Sequence, residues 1–207
     1  MSEQQERPDK HTGWYTFARV FGAVVTHTLC PVTFVHPERA QIDAPFIAVS
    51  NHNSWFDPVA IGYLIKRYET IFLGKKELTA NPIMRKIVKG LHMIVVDRHN
   101  SDIEAMRACL RALKLGCVLG IFPEGTRHHK GTMEEVESGA GLIALRSGVP
   151  VVPILIDGTI RPFHRVKLYV GEPIETADLR AEGVNNDSCT RLMARITEKY
   201  RQGPAGF

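Results

Sequence analysis

The chain has 207 residues, 44% of them hydrophobic and 23% charged, with a formal net charge of +4. That balance is ordinary for one globular domain, and mild positive charge suits an anionic ligand or membrane surface. No basic run interleaved with aromatics marks a nucleic-acid groove, so nucleic acid is not an expected partner, and Cys30, Cys109, Cys117 and Cys189 form neither a Cys-x-x-Cys pair nor a disulfide framework.

Residues 1–12 are polar. From Trp14, the residues Trp14, Phe17, Ala18, Phe21, Val24 and Val25 recur at helical spacing and make one apolar stripe. The apolar stretch runs on to Val35 but holds Arg19, His27 and Pro31, so it lacks the roughly 20 clean apolar residues of a membrane span. It also lacks the small-residue cleavage site of a secretory signal. Two readings stay open for the helix: packing on a core, or lying in a membrane interface with its aromatics immersed. Residues 1–40 are read as a tail plus this amphipathic helix, and 41–207 as the main domain.

Beyond residue 40 the pattern alternates. β-branched apolar runs fall at Phe46–Val49, Thr70–Leu73, Met93–Val96, Val118–Phe122, Val151–Ile156 and Val166–Val170. Helical patterns lie between them, first from Pro58 to Ile65. Asn81-Pro82 supplies a cap and an N1 proline for Ile83–Val88. Ser101-Asp102-Ile103-Glu104 is a capping box opening a helix whose expected buried face is Ile103, Met106, Leu110 and Leu113, with Gly116 just past its end. Leu142–Arg146 is a further short helix. Thr176–Asn186 reads as a loop, and Asp187 or Ser188 as the cap of a last helix with Leu192, Ile196 and Tyr200 on one side. Continuous apolar strands alternating with helices predict a single α/β domain, with a mainly parallel central sheet flanked by helices.

Two segments carry chemistry. In Asn51-His52-Asn53-Ser54-Trp55-Phe56-Asp57, His52 leaves a strand and Asp57 precedes Pro58 at a helix start. On a continuous helix the two would lie about 140° apart. With His52 in the loop and Asp57 at the cap, the carboxylate can reach Nδ1 and leave Nε2 free to take a proton. Asp57 also reads as an ordinary N-cap. In Phe122-Pro123-Glu124-Gly125-Thr126-Arg127, a turn after a buried strand offers backbone donors, a hydroxyl and a guanidinium, which suit a phosphate. It reads equally as a polar surface turn. Lys75, Lys76 and Arg98 follow other strands and, in a parallel sheet, share that carboxyl edge. Adjacent His128 and His129 point apart with no third ligand spaced to join them, so no metal is expected. Serine-hydrolase elbow, Walker loop and dinucleotide fingerprint are all missing from the sequence.

These segments resemble the glycerolipid acyltransferase family, of the 1-acylglycerol-3-phosphate acyltransferase type. His52 to Asp57 matches its His-x4-Asp motif, and Phe122 to Arg127 its Phe-Pro-Glu-Gly-Thr-Arg block. Lys75-Lys76-Glu77-Leu78 through Arg98 is similar to a further block, as is Val149–Ile154, in the same order. The resemblance spans roughly Pro45 to Gly171 and implies acyl transfer to a lysophospholipid hydroxyl from acyl-coenzyme A or acyl carrier protein, with no other cofactor. It implies His52 and Asp57 as the catalytic pair. It also implies that Lys75, Arg98, Glu124, Gly125, Thr126 and Arg127 bind substrate. The expected location is the cytoplasmic face of a membrane, peripheral or monotopic. The resemblance tips the Trp14–Val25 helix towards the interfacial reading. One departure is Val136-Glu137, where the family commonly has an aromatic-basic pair; an added anion weakens a phosphate site. That leaves other lysolipid head groups open. A non-catalytic lipid-binding protein and a thioesterase working on water are the other readings.

Overall fold

A computed structural model of the chain describes residues 13–96, 103–123 and 138–207. Seven strands form one sheet: β1 (Val32–Val35), β2 (Ile47–Ser50), β3 (Thr70–Lys75), β4 (Ile94–Val96), β5 (Val118–Ile121), β6 (Val151–Asp157) and β7 (Val166–Val170), in the order β1-β7-β6-β2-β5-β3-β4. Every neighbouring pair is parallel except β6 and β7. The helices are α1 (Gly13–Val24), α2 (Asp57–Leu64), α3 (Pro82–Gly90), α4 (Ile103–Lys114), α5 (Ser138–Ser147), α6 (Ala177–Ala181) and α7 (Asn186–Arg201).

Alternation along the strands divides the core in two, because successive side chains point to opposite faces. Ile47, Val49, Leu119 and Ile121 face α4, α5 and α7, where Cys109, Leu145, Leu192 and Ile196 are buried. Phe46, Ala48, Phe72, Val152 and Ile154 face the other side, with Ile61 and Leu64 of α2 and with Val25. The expected α/β layer architecture therefore holds. Helix cover on both faces is what makes the central strands read as unbroken apolar runs.

Four local expectations change. Val32–Val35 pairs with Val166–Tyr169 as edge strand β1, so the sheet reaches N-terminal of the boundary drawn at residue 40. Helix α4 buries Ala105, Cys109, Ala112 and Leu113, while Ile103 is 56% exposed. Small residues let the helix sit close to the sheet, and Met106 and Leu110 pack at its flank. The stretch read as a loop contains α6, anchored by the fully buried Leu179. The last helix is capped by Asn185, whose side chain accepts from Ser188 N–H at 2.9 Å, while Ser188 Oγ accepts from Asn185 N–H at 3.0 Å. That reciprocal capping box satisfies two otherwise orphaned donors, so it outcompetes a cap at Asp187.

Other expectations stand. Asn81 Oδ1 accepts from Ile83 N–H and Met84 N–H at 2.9 and 3.2 Å, capping α3. Gly116 follows α4 at φ 85°. Leu192, Ile196 and Tyr200 are buried, as are all four cysteine thiols. The capping box at Ser101-Asp102 lies outside the described residues.

Helix α1 continues into a π-helical turn, Val25–Leu29, and packs on α2. The contact needs a small residue: a Cβ on Gly22 would lie 3.2 Å from Tyr63 Cβ. The expected single stripe divides here. Val25 turns inward, while Phe17, Val20, Phe21 and Val24, at helical spacing, remain exposed. The side chains of Trp14 and Ala18 lie outside the described residues. Among the described residues, no helix is long and apolar enough to cross a membrane.

Candidate active site

Strand β2 is central, with β6 on one side and β5 on the other, and the loop from Asn51 to Phe56 leaves its carboxyl end. Three side chains stitch that loop to β6 and the segment after it. Asn51 acts as a surrogate peptide: its Nδ2 donates to Ile156 O at 2.9 Å and its Oδ1 accepts from Ile156 N–H at 2.8 Å. Asn53 Nδ2 donates to Gly158 O at 2.8 Å, and Ser54 Oγ–H donates to Ile160 O. The backbone around His52 is thus held by bonds to β6 and the segment after it, as well as by bonds within its own turn.

His52 and Asp57 come together as expected. His52 Nδ1 lies 2.9 Å from Asp57 Oδ2. The same oxygen accepts from Asn53 N–H and Ser54 N–H, each at 2.7 Å. The turn folds back before α2, which lets a pair five residues apart meet although a helix would separate it. Asp57 is 0% exposed and the His52 side chain 19%. A buried carboxylate is costly unless donors converge on it, and three do. With Nδ1–H committed to the carboxylate, the neutral ring holds its lone pair at Nε2.

A second support was not legible in advance. The His52 ring stacks on Phe122, centroids 4.2 Å apart and planes at 23°. Phe122 stacks in turn on Phe72, at 5.9 Å and 12°. Phe72 sits beside Gly120 in the β3–β5 register, where a Cβ on Gly120 would lie 2.3 Å from Phe72 Cε1. Gly120 therefore makes room for a column of three rings that ends at the imidazole. Gly120→Ala is expected to cost about 1–3 kcal/mol through overpacking, a drop of roughly 5 °C in Tm, and to lower kcat by displacing His52. Thermal unfolding and steady-state rates on the purified variant check this. A glycine inside an apolar strand was the available signal.

Of the remaining candidates, Lys75 closes β3 and is half-buried at the same carboxyl edge. Phe122 and Pro123 leave β5 at that edge. Arg98, Glu124, Gly125, Thr126 and Arg127 lie outside the described residues, as do Val136, Glu137, His128 and His129. Among the described residues, no group of three or more His, Cys, Asp or Glu side chains is placed to hold a metal ion.

The arrangement is that of a buried carboxylate, an oriented imidazole and an Nε2 with no hydrogen-bond partner among the described residues, a proton-abstracting pair. Comparisons with known proteins give concordant matches. The family profile described as "Acyltransferase" covers residues 31–157. The chain is 32% identical over 154 residues to the 1-acyl-sn-glycerol-3-phosphate acyltransferase of Bacillus subtilis (strain 168), spanning 71% of this chain and 75% of that relative. It is 29% identical over 166 residues to the protein of the same name from Streptococcus pneumoniae (strain ATCC BAA-255 / R6), spanning 77% and 61% respectively. Among solved structures, the 1-acyl-sn-glycerophosphate (LPA) acyltransferase PlsC from Thermotoga maritima superposes with a TM-score of 0.68 at 26% identity, covering 90% of this chain and 79% of that one.

Proposed function

Because the chain belongs to the acyltransferase family, we propose that it moves a fatty acyl group from a thioester, acyl-coenzyme A or acyl carrier protein, to the sn-2 hydroxyl of 1-acylglycerol-3-phosphate, giving phosphatidic acid. The observation that carries this is the His52–Asp57 pair: a base oriented by a fully buried carboxylate on the carboxyl edge of the sheet. The acceptor hydroxyl oxygen attacks the thioester carbonyl carbon while His52 Nε2 takes the hydroxyl proton. Asp57 stabilises the imidazolium that forms. The tetrahedral oxyanion collapses, the C–S bond breaks and the thiolate leaves. The imidazolium then gives its proton to the sulfur or to solvent. A thiolate is a good leaving group, so no strong general acid is needed.

Lys75, Arg98, Gly125, Thr126 and Arg127 are the residues assigned to the acceptor phosphate, on the family's motifs and on the edge from which their strands emerge. Glu124 is assigned to the glycerol portion or to bracing Arg127. Removing a guanidinium from a phosphate leaves charge-assisted bonds unmade, so Arg127→Ala is expected to raise the acceptor KM about 10- to 100-fold, with the donor KM nearly unchanged. Initial rates with each substrate varied in turn separate the two effects. An unchanged acceptor KM removes Arg127 from the site.

The chain is read as acting on the cytoplasmic face of a membrane, as a peripheral or monotopic protein. The exposed stripe Phe17, Val20, Phe21 and Val24 supports an interfacial α1. The test of function is thiol release from acyl-coenzyme A with and without lysophosphatidic acid in mixed micelles. Acceptor-dependent release with phosphatidic acid formed supports the reading. Release without acceptor indicates a thioesterase. Glu137 favours a second reading, acylation of a lysolipid with another head group, and a panel of lysolipids in the same assay separates the two.

A further inference from the structure

The connection between β6 and β7 holds a feature that acyl transfer does not explain. Ile160 and Val166 are buried, and between them Arg161, Pro162, Phe163, His164 and Arg165 are all exposed. Phe163 is 83% exposed, and its backbone is held at φ 63°, a conformation a bulky side chain rarely adopts. The turn is not loose. Phe163 N–H donates to Leu29 O at 2.7 Å, and His164 N–H donates to Arg161 O at 3.3 Å. An anchored turn is thus holding a phenyl ring in water at a cost in both strain and hydration.

The surroundings of the ring say what would cover it. Arg161 and Arg165 flank it, and no acidic residue occurs from Gly158 to Gly171, while Lys167 on β7 stands opposite Asp157 in the antiparallel ladder. Neither arginine has an ion-pair partner among the described residues. The Leu29 bond joins the turn to the end of the α1 segment, whose outer face carries Phe17, Val20, Phe21 and Val24. The turn also stands on the carboxyl edge of the sheet, since Gly158 O and Ile160 O accept from Asn53 and Ser54 beside His52.

We propose that the Arg161–Arg165 turn is a second membrane-binding element: Phe163 enters the lipid interface while Arg161 and Arg165 pair with anionic phospholipid phosphates. Together with α1 it fixes the orientation of the domain, with the catalytic edge towards the bilayer. The proposal rests on the reading that the acceptor is a membrane lipid, and it is tested apart from turnover.

Flotation of the full chain with vesicles of phosphatidylcholine, with or without phosphatidylglycerol, reads binding directly. Arg161→Gln with Arg165→Gln is expected to lower partitioning onto the anionic vesicles about tenfold or more, and to leave the weak binding to neutral ones unchanged. Phe163→Gly removes the ring while easing the backbone, so lost binding cannot be put down to misfolding; the expected fall is about fivefold on both kinds of vesicle. Because the four native cysteines are buried, Phe163→Cys can be labelled with an environment-sensitive fluorophore. A blue shift on adding anionic vesicles supports immersion. Wild-type partitioning by Phe163→Gly, or no shift of the probe, overturns the proposal. So does a shift that appears without lipid as protein concentration rises, since the turn would then contact a second copy. Turnover of monomeric lysophosphatidic acid is expected to be equal in all these variants and the unaltered chain. Its absence from the unaltered chain strikes at the acyl-transfer reading alone, while the vesicle data still decide the role of the turn.

Discussion

His52→Ala is expected to abolish acyl transfer, with kcat falling about 10³-fold or more, while the chain stays folded. The imidazole is the group oriented to take the hydroxyl proton, and no other described residue shares its bond to Asp57 Oδ2 from a side chain. Its loss removes one hydrogen bond and one ring stack at the carboxyl edge, and His52 itself belongs to neither core cluster. The Tm should therefore fall by only a few degrees, corresponding to about 1–2 kcal/mol. Thiol release on acyl-coenzyme A and lysophosphatidic acid, beside thermal unfolding of the same preparation, gives both readouts. Turnover retained in a folded variant would assign the proton transfer elsewhere.

Asp57→Asn tests the other half of the pair and separates charge from shape. Asparagine has nearly the same volume, and its carbonyl oxygen can accept from Asn53 N–H and Ser54 N–H where Oδ2 does now. The loop geometry should survive, but the negative charge that stabilises the imidazolium is gone. The expected result is a fall in kcat of about 10²- to 10⁴-fold, with both KM values within about threefold of the parent. A kcat within tenfold of the parent would reduce Asp57 to a cap of α2. That outcome would recover the bland reading of an aspartate before a proline.

The central strands were legible because burial on both faces leaves no room for polar alternation. Their order was not, since the β2 neighbours β5 and β6 are set by long-range packing. Strand β1 was hidden because Val32–Val35 continues the apolar run of the preceding helix, and Pro31 is the only break between them. Helix α4 was read on its largest residues, whereas close packing on the sheet selected Ala105, Cys109 and Ala112. At the site, the base and its carboxylate were legible from type and spacing. Asn51, Phe72, Phe122 and Gly120 were not assigned supporting roles, because each acts across strands that are distant in sequence. Asn51 reaches Ile156, and Gly120 yields to Phe72. Such roles belong to register, of which the glycine inside the apolar β5 run is the local trace.

The ring column has a magnetic consequence. The His52 imidazole lies over the face of Phe122, so its carbon-bound protons sit in the shielding cone of an aromatic ring current. Their proton resonances should move upfield of those of histidines that stack on nothing. The shift falls steeply with separation, so it reports whether the stack is intact. The same protons thereby register whether an acceptor, a thioester or a change at Gly120 has moved the ring.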